Sequence, residues 1–130
     1  RVAGDPNAMP AKGSFYPPTV LVDVPKDSQI AQNEIFGPVA PLIKVSSDEE
    51  ALALANASEF GLIGYIYTKD LAKGLRLSAK LQTGMVGLNR GLVSDPAAPF
   101  GGMKESGLGR EGGFEGIDEF LETQYVAVEW

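Results

Sequence analysis

Residues 47–89 switch twice between helical and strand periodicity within a short span, and that alternation narrows the fold more than anything else in the chain. Ser47-Asp48-Glu49-Glu50 has capping-box spacing: Ser47 is placed to cap a helix, and Glu50 is three residues on to reach back. Ala51, Leu52, Leu54 and Ala55 then form an apolar stripe that Asn56, Ser58 and Gly61 bring to an end. Residues 62–67, rich in Ile and Tyr, read as a strand. Asp70 is a second N-cap, Leu71, Leu75, Ser78 and Leu81 or Gln82 follow at helical spacing, and Gly84 suits the C′ position. Met85-Val86-Gly87-Leu88-Asn89 reads as a short strand of the buried type. This succession predicts parallel strands joined by crossover helices: an α/β fold with a parallel βαβαβ core.

The flanks extend that pattern. Residues 1–16 read as an irregular lead-in. Residues 19–24 are β-branched and apolar between Pro17-Pro18 and Pro25, which predicts a strand; a short helical piece follows at 27–32. A second strand is expected over 39–45, with Pro41 confining its start to an edge, a bulge or a first-residue position. Downstream lies a long Gly-rich loop over 90–113, and then a helix over 113–122 with Phe114, Ile117 and Leu121 on one stripe. Residues 124–130 read as a terminal strand. Left alone it would be an apolar edge, so it is expected to pair with another subunit.

Composition excludes several kinds of chemistry. The 130 residues contain no Cys and no His, which removes disulfides, thiolate nucleophiles, Ser-His-Asp triads and imidazole ligands from this chain. No acidic run has the spacing of a calcium loop, so no metal site is expected. A formal net charge of −6 argues against nucleic acid and anionic membranes as partners. No apolar run has membrane-spanning length. The length fits a single domain or part of one, and a start at Arg1 without Met favours a partial domain over 1–130, a fragment or a processed product.

Four places invite a functional reading. Gly107-Leu-Gly-Arg-Glu-Gly112 matches G-x-G-x-x-G formally, but no strand precedes it, so it reads as a decoy. Lys104 is followed by Glu105, not Ser or Thr, which rules out a Walker A loop. The glycines instead suggest a loop packed against other backbone, in which Lys104, Glu105, Arg110 and Glu111 form buried ion pairs with a structural or a functional purpose. Glu34 stands two residues before Phe36 and the Gly37-Pro38 turn. A carboxylate accepting two hydroxyls beside an aromatic wall suits a ribose and a planar base, whereas simple core packing is the commoner role of such a Phe and the favoured one for Phe36 from the residues alone. Finally, residues 89–94 follow a strand's carboxyl end, with Arg90 and Ser94 available to an anionic group, although Ser94-Asp95-Pro96 also reads as an ordinary turn.

Taken in order, several motifs resemble the carboxy-terminal part of the aldehyde dehydrogenase superfamily. They are Glu34-Ile35-Phe36-Gly37-Pro38, Phe60-Gly61-Leu62 with Tyr67-Thr68-Lys69-Asp70, and Gly84-Met85-Val86-Gly87-Leu88-Asn89, followed by the unbroken run from Pro99 to Glu111. The stretch Asn89-Arg90-Gly91-Leu92-Val93-Ser94 looks most like the succinate-semialdehyde dehydrogenase branch. The resemblance implies that Glu34 binds the nicotinamide-ribose hydroxyls of NAD or NADP and that Phe36 packs against that end of the cofactor. It implies that Ser94 helps hold a distal carboxylate, that Phe100 lines the substrate tunnel, and that Glu111 joins a proton-handling network. The final strand matches one that joins subunits into a homodimer or homotetramer, and the implied location is the cytoplasm.

Enzymes of this kind attack the aldehyde with a cysteine thiolate and activate water with a glutamate. Both residues, and the phosphate-binding region, would lie upstream. The chain thus looks like about the last quarter of such an enzyme, contributes no catalytic residue of its own, and is expected to be inactive alone. The competing expectation is a stand-alone oligomerisation or interaction module that kept the fold without the chemistry. A small nucleotide-binding protein using Gly107 to Gly112 is a third.

Overall fold

A computed structural model describes Met9, Pro10 and residues 12–130; the rest of the predicted lead-in, residues 1–8 and 11, lies outside the described residues. The chain divides into two units, Arg1–Leu54 and Ala55–Trp130.

In the first unit, strands β1 (Thr19–Leu21) and β2 (Val39–Pro41) pair in parallel, with Thr19 opposite Val39 and Leu21 opposite Pro41. The short helix α1 (Gln29–Gln32) lies between them in sequence. Pro41 can end a strand here because the sheet has only two strands, so its missing N–H costs no partner. Both strands are shorter than expected. Asp23 adopts φ +55, which breaks the extended run just after Leu21. The chains still touch beyond that point, through Leu42 N–H to Leu21 O (2.8 Å) and Val24 N–H to Leu42 O (3.3 Å). Val24, 9% exposed, is the one buried apolar side chain among the described residues.

Helix α2 (Asp48–Asn56) leads the chain into the second unit. Ser47 caps it as expected, its Oγ accepting the Glu50 N–H at 3.1 Å. The reciprocal half of the capping box lands one residue early: the Glu50 carboxylate accepts both the N–H and the hydroxyl of Ser46, each at 2.7 Å.

The second unit holds β3 (Phe60–Gly61), β4 (Ile63–Ile66), α3 (Leu71–Ser78), β5 (Met85–Leu88) and β6 (Met103–Lys104). Strands β4 and β5 are parallel with α3 between them, and Asp70 caps α3 through a 2.9 Å bond from Lys73 N–H. The helix stops at Ser78, short of Leu81, so Gly84 is not at its C′ position. Gly84 instead allows close approach, since a Cβ there would overlap the Gly101 carbonyl oxygen. β3 pairs antiparallel with β6, a partner that the strand–helix alternation did not reveal.

The expected continuous βαβαβ core is therefore two separate parallel pairs, β1–β2 and β4–β5, plus an antiparallel ribbon. The α/β class holds. One further expectation is corrected. Residues 113–122 form a 3₁₀ turn at Glu115–Phe120, entered through Gly112 and Gly113 at φ +68 and +60 and containing Gly116, all unfavourable to an α-helix. The predicted stripe residue Phe114 is 95% exposed, and Ile117 and Leu121 are also exposed. Residues 124–130 pair with no strand among the described residues; the pairing expected of them is with another subunit.

Candidate functional site

Glu34 and Phe36 lie in the first unit, on the connection from α1 to β2. Two successive three-residue turns, Gly37 N–H to Ile35 O (2.9 Å) and Val39 N–H to Gly37 O (2.8 Å), fold this connection tightly. They leave the Phe36 ring 93% exposed, so the simple-core reading of Phe36 is excluded for this unit. The Glu34 carboxylate is exposed and has no partner among the described residues. A free carboxylate and a free ring two residues apart fit the sugar hydroxyls and flat base end of a dinucleotide, so the donor set present suits an NAD-type cofactor.

Ser94, Phe100 and Glu111 lie in the second unit. A cavity of about 180 Å³ is bounded by Met85 and Val86 of β5 and by Val93, Asp95, Ala98, Pro99 and Phe100. Phe100 thus lines a concave site. Ser94 falls between two cavity residues, exposed, with its hydroxyl unpartnered among the described residues. The turn reading of its neighbours also holds: the Asp95 carboxylate accepts the Ala97 N–H at 2.9 Å. Arg90 donates from Nε to the Leu92 carbonyl at 2.6 Å and does not line the cavity.

Phe100 and Glu111 are directly opposed. Each donates its N–H to the other's carbonyl at 2.7 Å, forming an isolated antiparallel bridge. Such a pair directs both side chains to one face. The ion pairs expected in the Gly-rich loop are absent among the described residues. Arg110 donates instead to the carbonyls of Gly102 (2.8 Å), Gly109 (2.9 Å) and Leu108 (3.2 Å), and Lys104 to those of Asn56 (2.7 Å) and Ser58 (2.9 Å). Glu105 and Glu111 are exposed. Backbone carbonyls left open by an irregular loop compete for these cations, and here they take both. The Gly107–Gly112 run follows a two-residue antiparallel strand and leads into a 3₁₀ turn, so it lacks a dinucleotide fingerprint's setting.

Sequence reasoning named Asn89 as the end of a strand, the start of a loop and a member of two motifs, with no role of its own. The structure shows it as a clamp: its side chain accepts the Thr68 N–H and donates to the Thr68 carbonyl, both at 2.8 Å, with φ +55. An Asn just past a strand end was the available signal, because Asn tolerates that backbone region. Asp95 and Met85 as cavity walls carried no signal at all. Among the described residues no carboxylate cluster is arranged for a metal, and no helix is long and apolar enough to cross a membrane.

The sequence matches the aldehyde dehydrogenase family over residues 2–126. The chain belongs to that family. It is 53% identical over 116 residues to a succinate-semialdehyde dehydrogenase of Paenarthrobacter nicotinovorans, a match covering 89% of this chain and 26% of that enzyme. It is 47% identical over 125 residues to a glutarate-semialdehyde dehydrogenase of Pseudomonas aeruginosa, covering 96% and 26%. Its fold is similar to the Mycobacterium tuberculosis aldehyde dehydrogenase solved with NAD+, with a TM-score of 0.77, 43% identity, and 87% of this chain against 25% of that one. This aldehyde dehydrogenase chain therefore spans about a quarter of the length of the curated relatives it matches.

Proposed function

We propose that the chain is the carboxy-terminal part of the catalytic domain of an NAD(P)-dependent aldehyde dehydrogenase acting on a semialdehyde with a distal carboxylate, first among them succinate semialdehyde, oxidised to succinate. The observation that carries this reading is Ser94, exposed and with its hydroxyl unbonded among the described residues, flanked in sequence by Val93 and Asp95, which line a cavity together with Phe100. The relatives, one acting on a four-carbon and one on a five-carbon semialdehyde acid, support the substrate class.

Within that enzyme, Glu34 accepts the hydroxyls of the nicotinamide ribose and Phe36 covers the same end of the cofactor. NAD and NADP share that end, so these residues serve either. The bound nicotinamide is the hydride acceptor of the reaction. Ser94 donates a hydrogen bond to the distal carboxylate, Phe100 excludes water around the carbon chain, and Glu111 belongs to a proton-handling network on the face it shares with Phe100. The chain has no thiol, so the attacking nucleophile must come from another part of the enzyme. Residues 124–130 join subunits into a dimer or tetramer.

Two measurements test this. The isolated chain, given NAD+ or NADP+ and succinate semialdehyde, is expected to give no rise in absorbance at 340 nm; sustained turnover would overturn the reading. In the intact enzyme carrying this chain, Ser94→Ala is expected to raise KM for succinate semialdehyde about tenfold or more, with kcat little changed, because one charge-assisted hydrogen bond is lost. An unchanged KM removes the assignment of the carboxylate to Ser94.

A further inference from the structure

We infer that Asn89 is the positioning residue that sets substrate specificity, by fixing the loop on which Ser94 meets the distal carboxylate. The inference rests on the reading of Ser94 above and adds to it the residue that makes that serine a recognition element.

The argument follows the hydrogen bonds outward from Asn89. Strand β5 ends at Leu88, and the Asn89 N–H still donates to Ile66 O at 2.8 Å, as the next rung of the β4–β5 ladder. At φ +55 the backbone then turns out of the sheet. The Asn89 side chain supplies the rung the backbone gives up, bonding both main-chain polar groups of Thr68. Thr68 is itself fixed, since its Oγ1 accepts the Asp70 N–H at 3.1 Å and Asp70 caps α3. The root of the loop is thus tied through two residues to the start of a helix.

Beyond the root, bonds hold the loop on both sides of Ser94. Arg90 Nε grips the Leu92 carbonyl, Ala98 N–H donates to Asp95 O at 3.0 Å, Gly113 N–H donates to Pro96 O at 3.1 Å, and Phe100 is bridged to Glu111. Ser94 sits between two fixed ends with no bond of its own among the described residues. Its hydroxyl position is therefore inherited from the loop, and the direction in which the loop leaves the sheet is set at Asn89. A serine of this kind discriminates only if its place is held to a fraction of an ångström, because a carboxylate hydrogen bond weakens steeply with misplacement.

Asn89→Gly separates the two duties of the residue: glycine adopts φ +55 freely but forms neither bond to Thr68. The test uses the intact enzyme carrying this chain and reads the ratio of KM for butanal to KM for succinate semialdehyde, two four-carbon aldehydes differing in the distal carboxylate. That ratio is independent of how much enzyme is folded. N89G is expected to lower it about fivefold or more, and N89D, which keeps the acceptor for the Thr68 N–H but not the donor, to lower it less. In the N89G background, Ser94→Ala is expected to lower it little further, since both changes remove the same interaction.

An unchanged ratio in N89G, with S94A alone lowering it, overturns the role of Asn89 and leaves the proposed function standing. A wild-type enzyme with no preference for the carboxylate overturns both. Failure of N89G and N89D alike to yield folded enzyme would make Asn89 purely structural and also overturn the inference.

Discussion

At Gly84, a methyl group would meet the carbonyl oxygen and carbon of Gly101 and the Cα of Gly102, all of them backbone. Backbone cannot rotate aside as a side-chain tip does, so Gly84→Ala is expected to destabilise the chain by about 2–3 kcal/mol in urea unfolding; a loss below about 0.5 kcal/mol would show that the loop has room to yield. Asp70→Ala removes one capping bond and is expected to cost about 1 kcal/mol by the same measurement. These residues differ in how legible they are. Asp70 announces itself because cap and partner are three residues apart. Gly84 reads as a helix stop from its neighbours, and its real partner, Gly101, is far along the chain. Asn89 is harder still, because its clamp is completed by Thr68, 21 positions earlier. Ser94 and Phe100 stand out only through the family pattern that surrounds them, with nothing in their own residue types to separate a site from a turn.

Helix α2 shows how an element's end can be tied to pH. The Glu50 carboxylate is ion-paired with Lys26 and hydrogen-bonded to the Ser46 N–H and hydroxyl, and these partners, Lys26 foremost, lower its pKa from 4.5 to about 2. A depressed carboxylate binds its proton less readily in the folded chain than in the unfolded one. Its contribution is therefore complete above the unfolded value near 4.5, and is lost as pH falls toward about 2. Comparing wild type with Glu50→Gln across that window, the stability difference is expected to shrink as the solution is acidified; a pH-independent difference would show that the network does not hold Glu50 charged. Among the elements, those with clear caps and periodicity, α2, β4, α3 and β5, were readable to within a few residues. The antiparallel ribbon β3–β6 was not, because two-residue strands have no period. The helix expected over 113–122 failed because apolar spacing says nothing of the left-handed glycines that precede it.

Across both units the chain leaves large apolar side chains uncovered, from Phe15, Tyr16 and Leu42 to Phe120, Tyr125 and Val128. Scattered exposed apolar residues are ordinary, but a chain with Val24 as its one buried apolar side chain among those described is short of a core. The isolated chain is expected to bind a hydrophobic dye and to self-associate in sedimentation velocity, and deletion of residues 124–130 to weaken that association. A monodisperse monomer at high concentration would contradict this. One local feature also limits how this loop can be re-engineered. Because Phe100 and Glu111 share a pair of main-chain bonds, loop grafting that moves the aromatic to enlarge the cavity will drag the acid along with it. Trimming Val93 or Met85 widens the same space while leaving that bridge in place.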